Sequence, residues 1–355
     1  MNKLKNLFND TFKFTMIAIL LGFLVGSIIL MFAGINPIEA YSVVFVGIFG
    51  KPSSVAWSVV TATPIILTGL SVAFAFRTGL FNIGAEGQFM VGALAAAVVG
   101  YFVKAPAIVH IPLTIMAGML AGAIWGGCAG FLKAKYGVNE VITTIMLNWI
   151  ALYLSNYVTM LEGFRKPHTE ASYKIQETAM IKIDWLRSFI GPVKVNWGIV
   201  FAIIAILIIA YVLNKTTLGF ELRAVGFNKF AAEYGGINVN SSMIKSMAIA
   251  GLLAGLAGTL HVMGYAQKIT VLAASEGYGF DGISVSLIGN NTPLGCLFAG
   301  LFFGALKYGG RKMNSIGAPT EVVNIVMGSI IYFIAAINLI KMTMFKFKTV
   351  KRGEN

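Results

Sequence analysis

The sequence contains no set of side chains arranged for catalysis. Its three histidines, His110, His168 and His261, are far apart, and none belongs to an HExxH pattern. CxxC, GxSxG and GxxxxGK[ST] patterns do not occur, so the sequence offers no metal-ligand pair, nucleophile elbow or phosphate-binding loop. We therefore predict that the chain is not an enzyme, has no catalytic residue, uses no metal or cofactor, and cannot hydrolyse ATP by itself.

The most unusual polar segment covers residues 77–88 (RTGLFNIGAEGQ), between two strongly apolar runs. Two interpretations are open. The segment is either a short cytoplasmic turn or a break between two helices whose polar backbone lines a transport path, because unwound backbone at membrane depth must face a cavity or other protein. An ionisable group there costs at least about 2.5–3.5 kcal/mol and should face the interior. Gly79, Gly84 and Gly87 would supply the backbone freedom that a break requires.

A second polar segment covers residues 276–293. It repeats the mixture of closely spaced glycines, aromatic residues and a carboxylate, and it ends in Asn290-Asn291-Thr292-Pro293. Pro293 is not compatible with the middle of an undistorted helix. Two glycine-interrupted segments in the two halves of a chain are the pattern that points to a transport path. We predict broken helices near 77–88 and 276–293.

The composition restricts the class of protein that must position these segments. Of 355 residues, 57% are hydrophobic and only 12% are charged, with a mean hydropathy of +0.80. A soluble domain carries about 25% charged residues, so a soluble enzyme and a disordered chain are excluded. The net charge of +13 fits loops beside anionic lipid headgroups better than nucleic acid, because no basic run alternates with aromatic residues. Cys128 and Cys296 lie in apolar runs, where we expect buried packing rather than a disulfide.

Nine runs without charged residues divide the chain, and most approach the roughly 20 residues that a membrane-spanning helix needs. The runs are 14–34, 53–76, 87–103, 105–132, 141–161, 195–213, 246–267, 282–306 and 322–340. Crossings at about 269–290 and 293–309 would make ten spans rather than nine. Ten spans place both basic ends in the cytoplasm, as the positive-inside rule favours. The basic residues concerned are Lys3, Lys5 and Lys13 at the start and Lys341, Lys346, Lys348, Lys351 and Arg352 at the end.

These runs predict an all-α, polytopic membrane protein with a single domain over 1–355. Two connections are longer than a helix hairpin needs: residues 162–194, predicted outside, and residues 214–245, predicted inside. Each is either a plain connection or a docking surface. Glycines recur at four-residue spacing at 118, 122 and 126 and again at 251 and 255, which predicts close helix packing within the membrane.

The order of these features resembles the permease subunit of bacterial ABC importers, in the branched-chain amino acid and simple sugar permease family. The segment ELRAVGFNKFAAEYGGINVNSSMIKSMAIAGLLAGLAGTL is similar to the coupling segment of that family. The segments GLFNIGAEGQFMVGALAAA and DGISVSLIGNNTPLG, the latter followed by FFGALKYGG, resemble its nucleoside and simple sugar branch. The resemblance covers nearly all of residues 14–340. It implies import of a nucleoside, or else a simple sugar, across the bacterial cytoplasmic membrane.

The resemblance also implies roles for individual residues. Those beside the substrate pathway are Phe81, Asn82, Glu86, Gln88, Asp281 and Asn290. Those that couple the permease to its ATPase, in the cytoplasmic segment 214–245, are Arg223, Ala231, Ala232, Glu233, Gly235 and Gly236.

The partners that the resemblance implies are an ABC ATP-binding subunit, a second homologous permease (or a second copy of this chain) and a substrate-binding lipoprotein. The lipid bilayer surrounds the chain, and no nucleic acid is expected. The alternative is an ion-coupled secondary transporter of nucleosides or sugars. Carboxylates are available near span ends for such a mechanism, but no span carries two of them, and the inner segment would have no role.

Overall fold

The computed structural model describes residues 2–191 and 193–336, and this part of the chain is helical. Fourteen α-helices occur within the described ranges. Their bounds are Asn2–Phe32 (α1), Pro37–Phe49 (α2), Pro52–Phe76 (α3), Ala85–Phe102 (α4), Ala107–Tyr136 (α5), Glu140–Thr159 (α6), Asp184–Ile190 (α7), Gly198–Lys215 (α8), Thr217–Phe227 (α9), Lys229–Tyr234 (α10), Val239–His261 (α11), Tyr278–Ile288 (α12), Pro293–Gly310 (α13) and Thr320–Ala335 (α14). A π-helical turn, Val262–Ala266, extends α11. The predicted all-α class is confirmed.

Six of these helices are long and apolar enough to cross a membrane. They are α3, α4, α5, α6, α8, and α11 with its π-helical turn. A seventh candidate is the pair Ile17–Phe32 and Pro37–Phe49, which is bent by 120°. These helices lie where the uncharged runs predict them. The described chain therefore has six or seven candidate spans, and the expected number of ten is not reached.

The shortfall arises mostly after residue 266. The crossing expected at about 269–290 is interrupted, because α12 begins only at Tyr278 and contains 11 residues. At 1.5 Å per residue it measures about 16 Å, half of the roughly 30 Å hydrocarbon core. α14 has 16 described residues. The end of its predicted run, 337–340, and the basic residues from Lys341 onward lie outside the described residues.

Both predicted helix breaks are present. α3 ends at Phe76 and α4 begins at Ala85, so residues 77–84 form a non-helical connection. α12 ends at Ile288, and Asn290 and Asn291 both adopt the left-handed backbone conformation before Pro293 begins α13. Proline is favoured at the first position of a helix because the amide hydrogen it lacks has no partner there anyway. The chain thus breaks where the polar segments predict.

The described chain comprises two compact units, residues 55–305 and residues 2–54 with 306–336. In the larger unit, α11 packs against α5 and α4 through backbone rather than through side chains. A Cβ atom on Gly122 would clash with the carbonyl oxygen of Gly251, and one on Gly92 would clash with the Cα atom of Gly255. Lipid gives helices no hydrophobic reason to associate, so such close approach supplies the van der Waals contact that holds them. The predicted glycine packing is confirmed.

The smaller unit contains α1, α2 and α14. α1 packs against α14, and a Cβ atom on Gly26 would lie 3.0 Å from the Cγ1 atom of Val326. The hydroxyl of Tyr41 on α2 donates a hydrogen bond to the carbonyl oxygen of Phe23, at 2.7 Å. This unit contains the N-terminal lysines of the predicted cytoplasmic end.

Residues 162–194 form a folded cover rather than an extended loop. Isolated antiparallel bridges join Ala171 to Thr270 and Lys182 to Asn196. The amide of Ile175 donates to the carbonyl oxygen of Gln267 at 2.9 Å, and the ring of Tyr173 stacks on Tyr101 with centroids 5.3 Å apart. The segment is therefore fixed to the chain that follows α11 and to the end of α4.

One cysteine lies where we expected and the other does not. Cys296 is buried, whereas Cys128 is exposed, so the prediction of buried packing is wrong for Cys128. The reason is helical geometry. The buried face of α5 follows Gly118, Gly122 and Gly126 at four-residue spacing, and two further residues rotate a side chain by about 200° to the opposite face.

Candidate functional site

The two polar segments meet each other in the structure. Glu86 lies in the first turn of α4 and is fully buried. One of its carboxylate oxygens accepts a hydrogen bond from the amide of Gly277 at 2.8 Å, and the other accepts one from the amide of Gly279. These two amides belong to the start of α12, where the first turn of a helix leaves its amide hydrogens without intrahelical partners. A side chain from the first segment therefore caps the helix of the second.

The opposite end of α12 is held by the opposite charge. The Nε atom of Arg77 donates a hydrogen bond at 3.0 Å to the carbonyl oxygen of Asn291, in the turn that follows α12. A helix carries partial positive charge at its N-terminus and partial negative charge at its C-terminus. An anion at the first and a cation near the second are each stabilising by about 0.3–1 kcal/mol, and by up to about 2 kcal/mol when partly buried. We call Arg77 and Glu86 together the α12 bracket.

The body of α12 contacts α3 at close range. The hydroxyl of Thr68 donates a hydrogen bond to the carbonyl oxygen of Tyr278 at 2.8 Å. A Cβ atom on Gly282 would lie 2.5 Å from the hydroxyl oxygen of Thr68 and 2.8 Å from the amide nitrogen of Gly69. α12 therefore has almost no side-chain layer between its backbone and α3 on this side.

Three of the predicted pathway residues are buried, and two of them pair with each other. The side-chain amide of Asn82 donates to Gln88 at 2.9 Å, and the amide of Gln88 donates back to Asn82 at 3.0 Å. Asn82 also donates to the hydroxyl of Ser71 at 3.2 Å. Asn82 and Glu86 have no exposed surface, and Gln88 is 1% exposed. In this conformation their polar atoms are therefore occupied by the chain itself.

The other three predicted pathway residues are more accessible. Phe81 is half-buried and stacks on Phe76, with ring centroids 5.1 Å apart. Asp281 is half-buried in the first turn of α12, and Asn290 is exposed in the turn after it. The structure thus brings Glu86 and Asp281 to the same end of α12, whereas Asn290 lies at the other end.

The glycines of the first segment differ in role from what the sequence led us to expect. Gly79 adopts the left-handed conformation with φ +73°, as a break requires, but Gly84 has φ −73°. Gly84 and Gly87 serve close packing instead. A Cβ atom on Gly84 would lie 2.9 Å from Thr144, and one on Gly87 would lie 2.8 Å from Asn148.

Two asparagines of α6 support the site, and sequence reasoning missed them. The side chain of Asn148 accepts from the amide of Gly87 at 2.8 Å and donates to the carbonyl oxygen of Ile83 at 3.1 Å. Asn156 likewise makes two hydrogen bonds with the backbone of Leu272, at 2.8 and 3.0 Å. Amides inside an uncharged span are costly unless they have partners. That cost was the available signal.

The predicted coupling residues lie in and around the short helix α10. Asn228 caps this helix by accepting from the amides of Phe230 and Ala231 at 3.0 and 3.1 Å, and Gly236 ends it with φ +84°. Four of the predicted coupling residues are exposed: Ala231, Glu233, Gly235 and Gly236. Ala232 is only 5% exposed. Arg223 is half-buried on α9, where its Nε atom donates a hydrogen bond to the carbonyl oxygen of Gly219 in the same helix.

Large aromatic side chains surround the same helix in solvent. Phe227 is 91% exposed, Phe230 71% and Tyr234 97%. Scattered apolar residues on a surface are ordinary, whereas three neighbouring aromatics with this exposure form a contiguous apolar patch, which is less common on a chain in isolation. We call residues 227–236 the coupling turn. Sequence reasoning identified its alanines and glycines but did not include these aromatics.

Comparison with known proteins agrees with this architecture. The model of the family described as "Branched-chain amino acid transport system / permease component" matches residues 54–335. The guanosine ABC transporter permease protein NupP of Bacillus subtilis is 42% identical, covering 96% of this chain and 97% of its own length. The nucleoside ABC transporter permease protein NupB of Lactococcus lactis is 40% identical, covering 96% and 94%.

A more distant relative is the glucose ABC transporter permease protein TsgB13 of Haloferax volcanii, 32% identical over 96% of this chain and 91% of its own. No solved structure matches the chain. The family match and these relatives cover most of the chain, including both polar segments and the coupling turn. The protein is therefore a membrane transport subunit rather than an enzyme, and it belongs to the permease component family of the branched-chain amino acid transport systems.

Proposed function

We propose that this chain is the translocating subunit of an ATP-driven importer of nucleosides, with guanosine as its first candidate substrate. The observation that carries the proposal is the similarity to two permeases named for guanosine and nucleosides, each over 96% of this chain. Simple sugar is the second candidate, because the relative at 32% identity is named for glucose. The protein lies in the bacterial cytoplasmic membrane.

The coupling turn is the contact with the ATP-binding subunit. Its exposed Phe227, Phe230 and Tyr234 support this role, because aromatic residues are the usual anchors of protein interfaces. α9 and α10 pack against each other and lead directly into α11, which together with α3 is the most buried of the candidate spans. A displacement of α10 would therefore be transmitted through α11 to the buried centre of the larger unit.

The segment 162–194 is the docking surface for a substrate-binding lipoprotein. A lysine patch supports this role. Its members are Lys174, Lys182, Lys194 and Lys268. Burial lowers the pKa of Lys194 below its ordinary value, and the other three ammonium groups lower it further. Such a patch attracts an acidic surface and fixes its orientation.

The α12 bracket holds the chain in one of two arrangements. With the bracket closed, Asn82, Glu86 and Gln88 are occupied internally, so the path in this state is bordered by Phe81, Asp281 and Asn290. Release of α12 would bring the other three residues to the path. The chain is then a bistable bundle, biased from outside by the lipoprotein and from inside by the ATPase.

We further propose ten crossings with both termini in the cytoplasm, α12 and residues 267–277 together forming the eighth. A second permease, homologous or identical, completes the translocation path. Single cysteines placed at residues 2 and 355 of a chain lacking Cys128 and Cys296 should react with a membrane-impermeant maleimide only after permeabilisation. Labelling of either end in intact cells would overturn this topology.

Substrate identity is tested with the lipoprotein and the complete importer in proteoliposomes. We expect ATP-dependent accumulation of labelled guanosine that excess adenosine or uridine reduces and excess glucose leaves unchanged. Accumulation of glucose without accumulation of any nucleoside would overturn the nucleoside assignment and leave the importer assignment standing.

A further inference from the structure

A cavity opens beside the bracket, within the larger unit. It lies between α4, α6, the π-helical turn and the chain from 266 to 276, and its volume is about 150 Å³. An apolar cavity of about 150 Å³ holds one benzene ring, whereas sites for whole drug-sized molecules occupy about 300–1,000 Å³. The cavity therefore has room for a flat ring, and any larger ligand must leave part of itself at the mouth. None of the residues that line it belongs to the pathway set predicted from the sequence.

The inner part of the cavity is aromatic. Phe89 of α4 is 2% exposed and His261 at the end of α11 is 8% exposed, with ring centroids 5.7 Å apart. The ring of Tyr278, the first residue of α12, packs against both of these rings. Its centroid lies 5.1 Å from that of Phe89 and 5.0 Å from that of His261. The aromatic wall therefore rests on the helix that the bracket holds.

The mouth of the cavity is polar. Glu276 is exposed over 36% of its side chain, and its carboxylate lies 3.7 Å from the Nε2 atom of His261. Lys268 and Thr270, on the same rim, are exposed. The cavity thus has an aromatic interior, in which the Phe89 and His261 rings are tilted by 56° to each other, and a mouth that offers a carboxylate acceptor, an ammonium donor and a hydroxyl.

The rim is held in place from two sides. Asn156 of α6 makes its two hydrogen bonds to the backbone of Leu272. On the other side, the amide of Ser172 donates a hydrogen bond to the carbonyl oxygen of Ile269 at 2.8 Å. The hydroxyl of Ser172 accepts a hydrogen bond from the amide of Ile269 at 3.0 Å. A site whose wall is already ordered loses little conformational freedom when it binds a ligand.

We propose that this cavity is a substrate site of the permease itself. A nucleoside enters with its base against Phe89 and His261 and its ribose at the mouth, where the carboxylate of Glu276 accepts hydrogen bonds from the two ribose hydroxyls. The orientation follows from chemistry, because a base has two flat faces suited to aromatic contact, while the diol supplies two donors to an acceptor-only group. The inference rests on the proposed nucleoside function.

The test measures binding without the lipoprotein. The assembled importer in nanodiscs is titrated with labelled guanosine and with 2′,3′-dideoxyguanosine, which lacks both hydroxyls. We expect weak saturable binding of guanosine and roughly tenfold weaker binding of the dideoxy compound, as for the loss of charge-assisted hydrogen bonds. In Glu276→Gln, which preserves shape, guanosine should bind more weakly and the discrimination between the two compounds should shrink. Glu39→Gln, an exposed carboxylate in the smaller unit, is the matched control and should behave as the wild type.

The outcomes separate the two proposals. Guanosine uptake by the complete importer combined with unchanged discrimination in Glu276→Gln, or with no binding in nanodiscs, overturns the cavity site and leaves the function intact. Absence of nucleoside uptake overturns both. A purely structural role for Glu276 would weaken the binding of the two compounds equally, and that result also contradicts the proposal.

Discussion

The α12 bracket and the coupling turn differ in whether their side chains have partners within this chain. At the bracket, Glu86 is fully buried, and both of its carboxylate oxygens have partners from the same chain. At the coupling turn, Phe227 and Tyr234 are more than nine-tenths exposed. The first region is complete within one polypeptide, whereas the second, under the proposed function, is half of an interface with the ATP-binding subunit.

This difference predicts different roles for the two regions, one in stability and one in association. A buried charge whose partner is removed is strongly destabilising, so loss of the bracket should destabilise the conformation described here. Exposed aromatic residues contribute little to the stability of their own chain and much to association. Substitutions at the bracket should therefore change stability and transport together, and substitutions at the coupling turn should change transport alone.

The largest effect is expected for Glu86→Ala. It leaves the amides of Gly277 and Gly279 buried without acceptors, at about 1–3 kcal/mol for each group. The purified importer should melt at a lower temperature, and uptake should fall by at least tenfold. Glu86→Gln, which retains one acceptor, should impair uptake while the complex still assembles. Normal uptake kinetics in Glu86→Gln would favour a plain connection over a transport-path role for segment 77–88.

Nearly as large an effect on transport is expected for Glu233→Arg combined with Gly235→Trp. A Cβ atom on Gly235 meets only ordinary contacts, at 3.4 Å from two carbonyl oxygens, so the folded chain should accept the bulky side chain. Stimulation of ATPase activity by the loaded lipoprotein should be lost while the melting temperature stays unchanged. Persistence of both stimulation and transport would show that the coupling turn is misassigned. Glu39→Arg is the control for reversed charge.

A smaller effect is expected for Arg77→Gln, because Arg77 is only half-buried and its Nε atom holds the C-terminal end of α12 through the carbonyl oxygen of Asn291. The loss should be about 1 kcal/mol of stability, with a several-fold fall in uptake. Arg77→Lys keeps the charge and should recover part of the loss. Equal losses in the two variants would mean that the hydrogen bond, and not the charge, matters at this end.

The smallest effect is expected at the lysine patch. Lys194→Gln with Lys174→Gln should weaken lipoprotein docking a few-fold at low ionic strength, and the difference should vanish at high salt, because exposed charges are screened. Lys51→Gln, exposed in the smaller unit, is the control. A defect that does not depend on salt would argue against electrostatic docking.

The sequence predicts local features of this protein well. Uncharged runs locate the long helices, since a charge inside a span is costly, and Pro293 locates the start of α13. The four-residue glycine spacing identifies the contact of α5 with α11, because residues four apart share a helix face.

Long-range partners were not accessible in the same way. Glu86 and Gly277 are 191 residues apart in the chain, and nothing in either segment specifies that a carboxylate of one caps the helix of the other. The ten predicted spans are not confirmed for a related reason, because apolar composition alone does not show whether an 11-residue helix such as α12 is part of a full crossing. Asn148 and Asn156 were overlooked because their partners are backbone groups, which residue types do not identify, although the cost of an amide inside an uncharged span indicates that partners exist.

The most direct test of the central claim compares the energy sources of transport. Proteoliposomes containing this chain with its ATPase, second permease and lipoprotein should accumulate guanosine only when ATP is present, and a protonophore should leave the rate unchanged. The chain alone should accumulate nothing. Concentration of guanosine by the isolated chain, driven by a proton or sodium gradient without ATP, would contradict the account.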